Sequence, residues 1–167
     1  MSLDLTLYDK NDEEVNWINW LRNPFGLERW AEANTKMADK LPLSLYEVCN
    51  KWNYDKSAEI DRKLFKEIID KYWEEVQKLE RGYFFFDIAS YRQFVEPYNN
   101  LIPKNKWGNY IDAKYEDGEI KIPMEYFEPK EFNLGRVSLE NYKKWFKELV
   151  VFAEELQNEE YRFTCSN

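Results

Sequence analysis

No histidine occurs among the 167 residues. That absence removes Ser-His-Asp and Cys-His nucleophilic systems in their usual forms, and zinc sites built on imidazole. The five glycines fall in no phosphate-cradling loop and no dinucleotide fingerprint. Asp9-Lys10-Asn11-Asp12-Glu13 has the acidic spacing of a calcium loop, but the sixth position lacks glycine and Trp20 stands where the bidentate Glu belongs. Cys49 and Cys165 are far apart and in no metal-like spacing, so they read as reduced thiols of a cytosolic protein. No cofactor and no metal site is expected. What remains is carboxylate chemistry, in which a buried acid pair serves as general acid and base. Asp87, Glu96 and Asp112 lie beside aromatics and are the candidates. Each also has a plainer role: Asp87 as a helix cap, Glu96 at an element end before Pro97, and Asp112 facing solvent from a strand. The plainer roles are preferred, and the chain is not expected to be an enzyme.

Charge points elsewhere. The net charge is −8, which argues against direct binding to nucleic acid or an anionic membrane surface and is compatible with a basic protein partner, or simply with solubility. Residues 61–110 are slightly basic, with nine Lys and Arg against eight Asp and Glu. Between Asp112 and Glu131 there are seven acids (Asp112, Glu116, Asp117, Glu119, Glu125, Glu128 and Glu131) against three lysines. Glu154, Glu155, Glu159 and Glu160 follow with no base between them. If these two stretches share a side, they form an acidic face dotted with Tyr115, Tyr126, Phe127 and Tyr161. Acidic charge around aromatic anchors is suited to capturing a basic partner quickly and holding it.

A second reading uses the tryptophans. Trp17, Trp20, Trp30 and Trp107 could line a pocket for a flat ligand such as a nucleobase, with Arg22, Arg29 and Arg92 for phosphate. Large aromatics at these spacings are more often core.

The elements that must position these residues are legible from periodicity. Ile60, Leu64, Ile68, Tyr72, Val76 and Leu79 recur at three or four residues, with Phe65, Ile69 and Trp73 widening the stripe. This predicts a central helix from an N-cap at Ser57 to a left-handed stop at Gly82, with solvated Glu59–Lys63, Glu67–Lys71 and Glu74–Lys78 pairs. Tyr83 to Phe86 reads as a buried strand. Alternation at Leu3, Leu5 and Leu7 predicts an opening strand, followed by a charged turn from Asp9 to Glu14. Val15 to Leu21 is ambiguous between strand and helix. Leu27 to Asp39 looks helical, and Ser44-Leu45-Tyr46-Glu47 is a capping box for a short helix through Trp52. Ile88 to Glu96 is a further short helix. Tyr110 to Tyr115 and Glu119 to Met124 flank Asp117-Gly118 as a hairpin, with Pro123 marking an edge strand. Ser138 caps a last helix, and Tyr161 to Cys165 is a terminal strand. The expected fold is α+β: one domain over residues 1–167, with four to five helices and a small antiparallel sheet that includes the hairpin near 110–124. No signal peptide or bilayer-spanning run is evident.

The opening L-D-L-T-L-Y, Asn34-Thr35-Lys36-Met37-Ala38, Trp107-Gly108-Asn109-Tyr110 and the Asn141-containing last helix resemble small uncharacterised proteins of bacteriophages and their bacterial hosts. The resemblance implies a phage or mobile-element setting in a bacterial cytoplasm, and no activity. The functional expectation is a small acidic protein that binds and blocks a protein partner. Such a partner would belong to a host defence or nucleic-acid-processing system, or be a toxin. The surface at 112–131 and 154–160 would make the contact.

Overall fold

The computed structural model of the chain describes residues 4–19, 21, 26–54, 60–95, 114–116, 118–127 and 138–166. Two antiparallel helices form its axis, α3 (Arg62–Val76) and α5 (Leu139–Glu155). Phe65 meets Phe152 at 6.1 Å, and a turn or two further along Tyr72 and Trp73 both meet Phe146 at 6.3 Å. Asp61 caps α3 by accepting from Leu64 N–H at 3.0 Å, and Ser138 caps α5 by accepting from Asn141 N–H at 3.1 Å. The expected cap Ser57 lies outside the described residues.

A three-stranded sheet closes each end of this helix pair. Sheet A has the order β2-β1-β6, from β1 (Asp4–Tyr8), β2 (Glu14–Ile18) and β6 (Arg162–Ser166). Its inner residues Leu5, Leu7 and Phe163 are buried, with Phe163 against Phe65 and Phe152. The ambiguous stretch after Val15 is therefore a strand through Ile18, drawn into the sheet by pairing with β1. Sheet B has the order β3-β5-β4, from β3 (Tyr83–Phe86), β4 (Lys114–Glu116) and β5 (Glu119–Pro123). Its buried Phe84 lies 5.4 Å from Tyr142, near the start of α5. α1 (Leu27–Thr35) lies across α3, α5 and β3, while α2 (Leu45–Tyr54) packs on α3 and α4 (Ile88–Phe94) follows β3. The expected α+β class holds, with five α-helices among the described residues and two small sheets rather than one. The buried apolar residues form one contiguous core.

Two expectations are corrected. Gly82 is not a helix stop, because α3 ends at Val76 and Gln77 takes an ordinary right-handed cap conformation. Gly82 is needed instead for close approach: a Cβ there would come within 2.3 Å of Met124 Sδ. Lys78 accordingly lies beyond the helix and pairs with Glu75 at 3.0 Å, while Lys71–Glu67 forms as expected at 2.7 Å. Pro123 does not mark an edge strand, since β5 is central in sheet B. Met124 donates toward β3, to Gly82 O at 3.0 Å, so the Pro123 nitrogen faces the other way. On that side the described part of β4 has already ended, opposite Lys121. The missing N–H therefore removes no bond from the observed ladders.

Candidate functional site

Asp87, the foremost catalytic candidate, is a cap. Its Oδ1 accepts from Ser90 N–H at 2.6 Å at the start of α4, and this bond holds the exposed carboxyl below its usual range. Glu96 and Asp112 lie outside the described residues. The tryptophan reading is not assembled either. Trp30 is buried, donates from Nε1 to Met124 Sδ at 3.1 Å and lies 5.1 Å from Tyr142, so it is a core residue. Arg29 is ion-paired with Glu119. Trp20, Arg22 and Trp107 lie outside the described residues, and Trp17 stands on the surface of sheet A.

The hairpin acids meet cations that arrive from elsewhere in the chain. Glu119 is held by Arg29 of α1, and Glu125 accepts from Arg81 at 2.5 and 3.0 Å, which raises the Arg81 guanidinium further. Tyr115 and Glu116 belong to β4, and Tyr126 and Phe127 to the short helical turn Met124–Phe127. Asp117, Glu128 and Glu131 lie outside the described residues. Sheet B sits beside Tyr142, whereas Glu154, Glu155, Glu159 and Glu160 lie at or beyond the other end of α5. At the helical rise those positions are about 20 Å apart. The two acidic stretches therefore occupy opposite ends of the helix pair.

At the C-terminal end of α5, however, a different segment joins the acids. Tyr8 pairs with Arg162, which places the β1–β2 turn and the α5–β6 turn at the same end of sheet A. Asp9, Asp12, Glu13 and Glu14 come from the first turn, and Glu154, Glu155, Glu159 and Glu160 from the second. Glu155 Oε2 accepts from Asn16 Nδ2 at 2.7 Å, tying α5 to β2 directly. Lys10 is an exposed cation within the first turn, while the two arginines here are committed. Arg162 lies 4.6 Å over the Tyr8 ring and donates to Asp12 at 2.9 Å. Arg62 donates to the carbonyls of Leu156, Asn158 and Tyr161 at 2.7, 3.0 and 2.7 Å, which shapes the α5–β6 turn. The β1–β2 turn is fixed by Asp9 Oδ1, which accepts from Asn11 and Glu13 N–H at 2.7 and 3.0 Å, and by Asp12 in the left-handed region at φ 60°.

Exposed apolar side chains occur on both β2 and α5. Among the described residues, five large hydrophobics are exposed, and Trp17 (52%), Val15 (37%) and Val151 (42%) are three of them. Trp17 and Val15 are on β2, and Val151 is one turn before Glu155 on α5. Trp17 lies opposite Thr6, on the sheet face away from Leu5 and Leu7. No described strand pairs with the outer side of β2, but Trp17 N–H is not open: it donates to Asn16 Oδ1 at 2.8 Å. Asn16 thus covers the strand edge while its Nδ2 holds Glu155.

A hollow of about 190 Å³ lies between the end of α1 and the start of α2, lined by Glu32, Leu41, Leu43, Glu47 and Tyr72 among others. Glu47 there completes the expected capping box, with Ser44 N–H to Oε2 at 2.7 Å and Glu47 N–H to Ser44 Oγ at 3.1 Å. Among the described residues, no group of three His, Cys, Asp or Glu could hold a metal ion, and no helix is long and apolar enough to cross a membrane.

Sequence reasoning missed three features. Asp9 to Glu14 was legible as a charged turn, but its place beside the α5–β6 turn depends on the β1–β6 pairing of the two chain ends. Glu28 is fully buried at the start of α1 and accepts from Leu45 N–H of α2 at 2.7 Å. Nothing around Glu28 in the sequence marks it as an inter-helix cap. Cys49 and Cys165, unrelated in sequence, are both buried in the core, and Cys165 together with burial pushes the Cys49 thiol well above its ordinary range. Comparison with protein families, with curated proteins and with solved structures finds no match to the chain.

Proposed function

We propose that the protein binds a basic protein partner at the acidic end of sheet A, and blocks the surface it covers. The observation that carries this reading is the exposed Trp17 of β2, with Val15 on the same strand, in a sheet one end of which brings two acidic turns together while Arg62 and Arg162 are engaged in internal contacts. An aromatic anchor inside a field of one sign supplies the two things fast, specific capture needs: long-range steering and a desolvated contact. Because Asn16 occupies Trp17 N–H, the contact is made by side chains and not by strand addition. The phage or mobile-element resemblance supports a setting in which occlusion is the useful outcome. The partner would then be a component of a host defence or nucleic-acid-processing system, or a toxin.

The test is a comparative capture from bacterial host lysate, read by mass spectrometry. The wild-type chain is expected to retain a basic protein. Trp17→Ala and the double reversal Glu159→Lys/Glu160→Lys should lose it, while Glu125→Lys at the opposite end of α5 should keep it. Equal retention by all four chains would remove sheet A from the contact.

A further inference from the structure

We propose that Trp17 and Glu14 form a clamp for an arginine side chain of the partner. Arginine, and not lysine, is what this face selects. The inference rests on the partner-binding reading above and names the group that reading leaves open. Glu14 and Trp17 are three residues apart, which in a regular strand would turn them to opposite faces. A bulge prevents this. Thr6 stands opposite Trp17 and Leu7 opposite Asn16, but Tyr8 stands opposite Glu14, so Val15 is the extra residue. Thr6 and Tyr8 alternate with the buried Leu5 and Leu7 and share the outer face of sheet A. Glu14 and Trp17 therefore stand on that same face, one cross-strand row apart, which is about 7 Å. Asn16, between them, turns instead to Glu155.

The chain itself shows what such a pair can hold. Arg162 stands opposite Tyr8 on the same face, lies 4.6 Å over the Tyr8 ring and donates to Asp12 at 2.9 Å. One guanidinium is thus shared between a ring and a carboxylate. Trp17 and Glu14 supply the same two parts without the guanidinium. The indole is 52% exposed, and among the described residues no cation lies over it and none pairs with Glu14. A guanidinium is planar and weakly hydrated, so it can lie flat on a ring while its N–H edge meets a carboxylate. An ammonium is a compact, strongly hydrated point charge and cannot do both as well. The acidic turns attract any cation; the clamp decides which one stays.

The probes are two capped peptides of equal length and charge, one alternating arginine with glycine and the other lysine with glycine. Their binding to the chain is followed by fluorescence anisotropy at low salt. The arginine peptide should bind the wild-type chain about fivefold more tightly than the lysine peptide. Trp17→Leu, which keeps an apolar side chain and removes the ring, should bring that ratio close to one. Glu14→Gln should do the same. Glu159→Lys/Glu160→Lys should weaken both peptides and leave the ratio intact, because it alters the field and not the clamp. Equal binding of the two peptides by the wild type would overturn the arginine clamp and leave the partner-binding reading standing. An arginine preference that survives in both Trp17→Leu and Glu14→Gln would overturn the assignment to this pair. Binding of neither peptide at low salt would remove the clamp and the partner-binding reading together.

Discussion

Asn34 does with one side chain what a neighbouring strand would do for β3. Its Nδ2 donates to Tyr83 O at 2.8 Å and its Oδ1 accepts from Tyr83 N–H at 2.8 Å, so the outer edge of sheet B is closed at Tyr83 by α1. Its Nδ2 also donates to Trp30 O at 2.8 Å, which fixes the amide's orientation. Asn16 does a related job on β2, so each sheet has an edge strand covered in part by an asparagine. Asn34→Ala should leave two backbone groups of a half-buried residue unpaired and cost about 1–3 kcal/mol in urea unfolding. Asn34→Asp should recover only part of that loss, because it restores the acceptor for Tyr83 N–H and offers no donor to Tyr83 O. A substitution to Ala that leaves the urea midpoint unmoved would show that α1 does not hold this edge.

Among the elements, the α5–β6 turn depends most on a distant residue. Arg62, in the first turn of α3, donates to three of its carbonyls, and Gln157 answers by donating to Arg62 O at 2.8 Å and Ala153 O at 2.9 Å. The guanidinium fork suits three converging acceptors, whereas an ammonium is a single point donor. Arg62→Lys is therefore expected to destabilise the fold by about 1–3 kcal/mol. It should also speed amide exchange in Phe163 to Cys165 more than in sheet B. Uniform exchange across both sheets would contradict this local role.

Contacts of this kind also explain what the sequence could disclose. Ser44–Glu47, Ser138 and Asp87 were legible as caps because each acts within three residues of itself. Glu28 capping α2, Arg29 on Glu119, Arg81 on Glu125 and Arg62 on the last turn were not, since sequence separation fixes no geometry. The charge count over 112–131 therefore missed the cations that fold onto the hairpin. Pro123 misled for a related reason: its nitrogen direction, not its presence in a strand, decides whether a ladder bond is lost.

At the scale of the whole molecule, the helix pair sets sheet A and sheet B about 20 Å apart along α5, and the two acidic stretches lie at opposite ends of it. At sheet B, Glu119 and Glu125 are met by arginines. At sheet A, two acidic turns meet at one end of a sheet whose β2 exposes Val15 and Trp17, and Arg62 and Arg162 are spent on the α5–β6 turn's carbonyls and on Asp12. The partner-binding proposal thus rests on pairing in space and not on the overall charge of −8. Its most direct test is the association rate of the captured partner, measured by stopped-flow from low to high salt. For the wild-type chain the rate should fall steeply as salt screens the field. Glu159→Lys/Glu160→Lys should be about tenfold slower at low salt, with a flatter salt dependence. A reversed-charge chain that associates at the wild-type rate, with the wild-type salt dependence, would contradict the assignment.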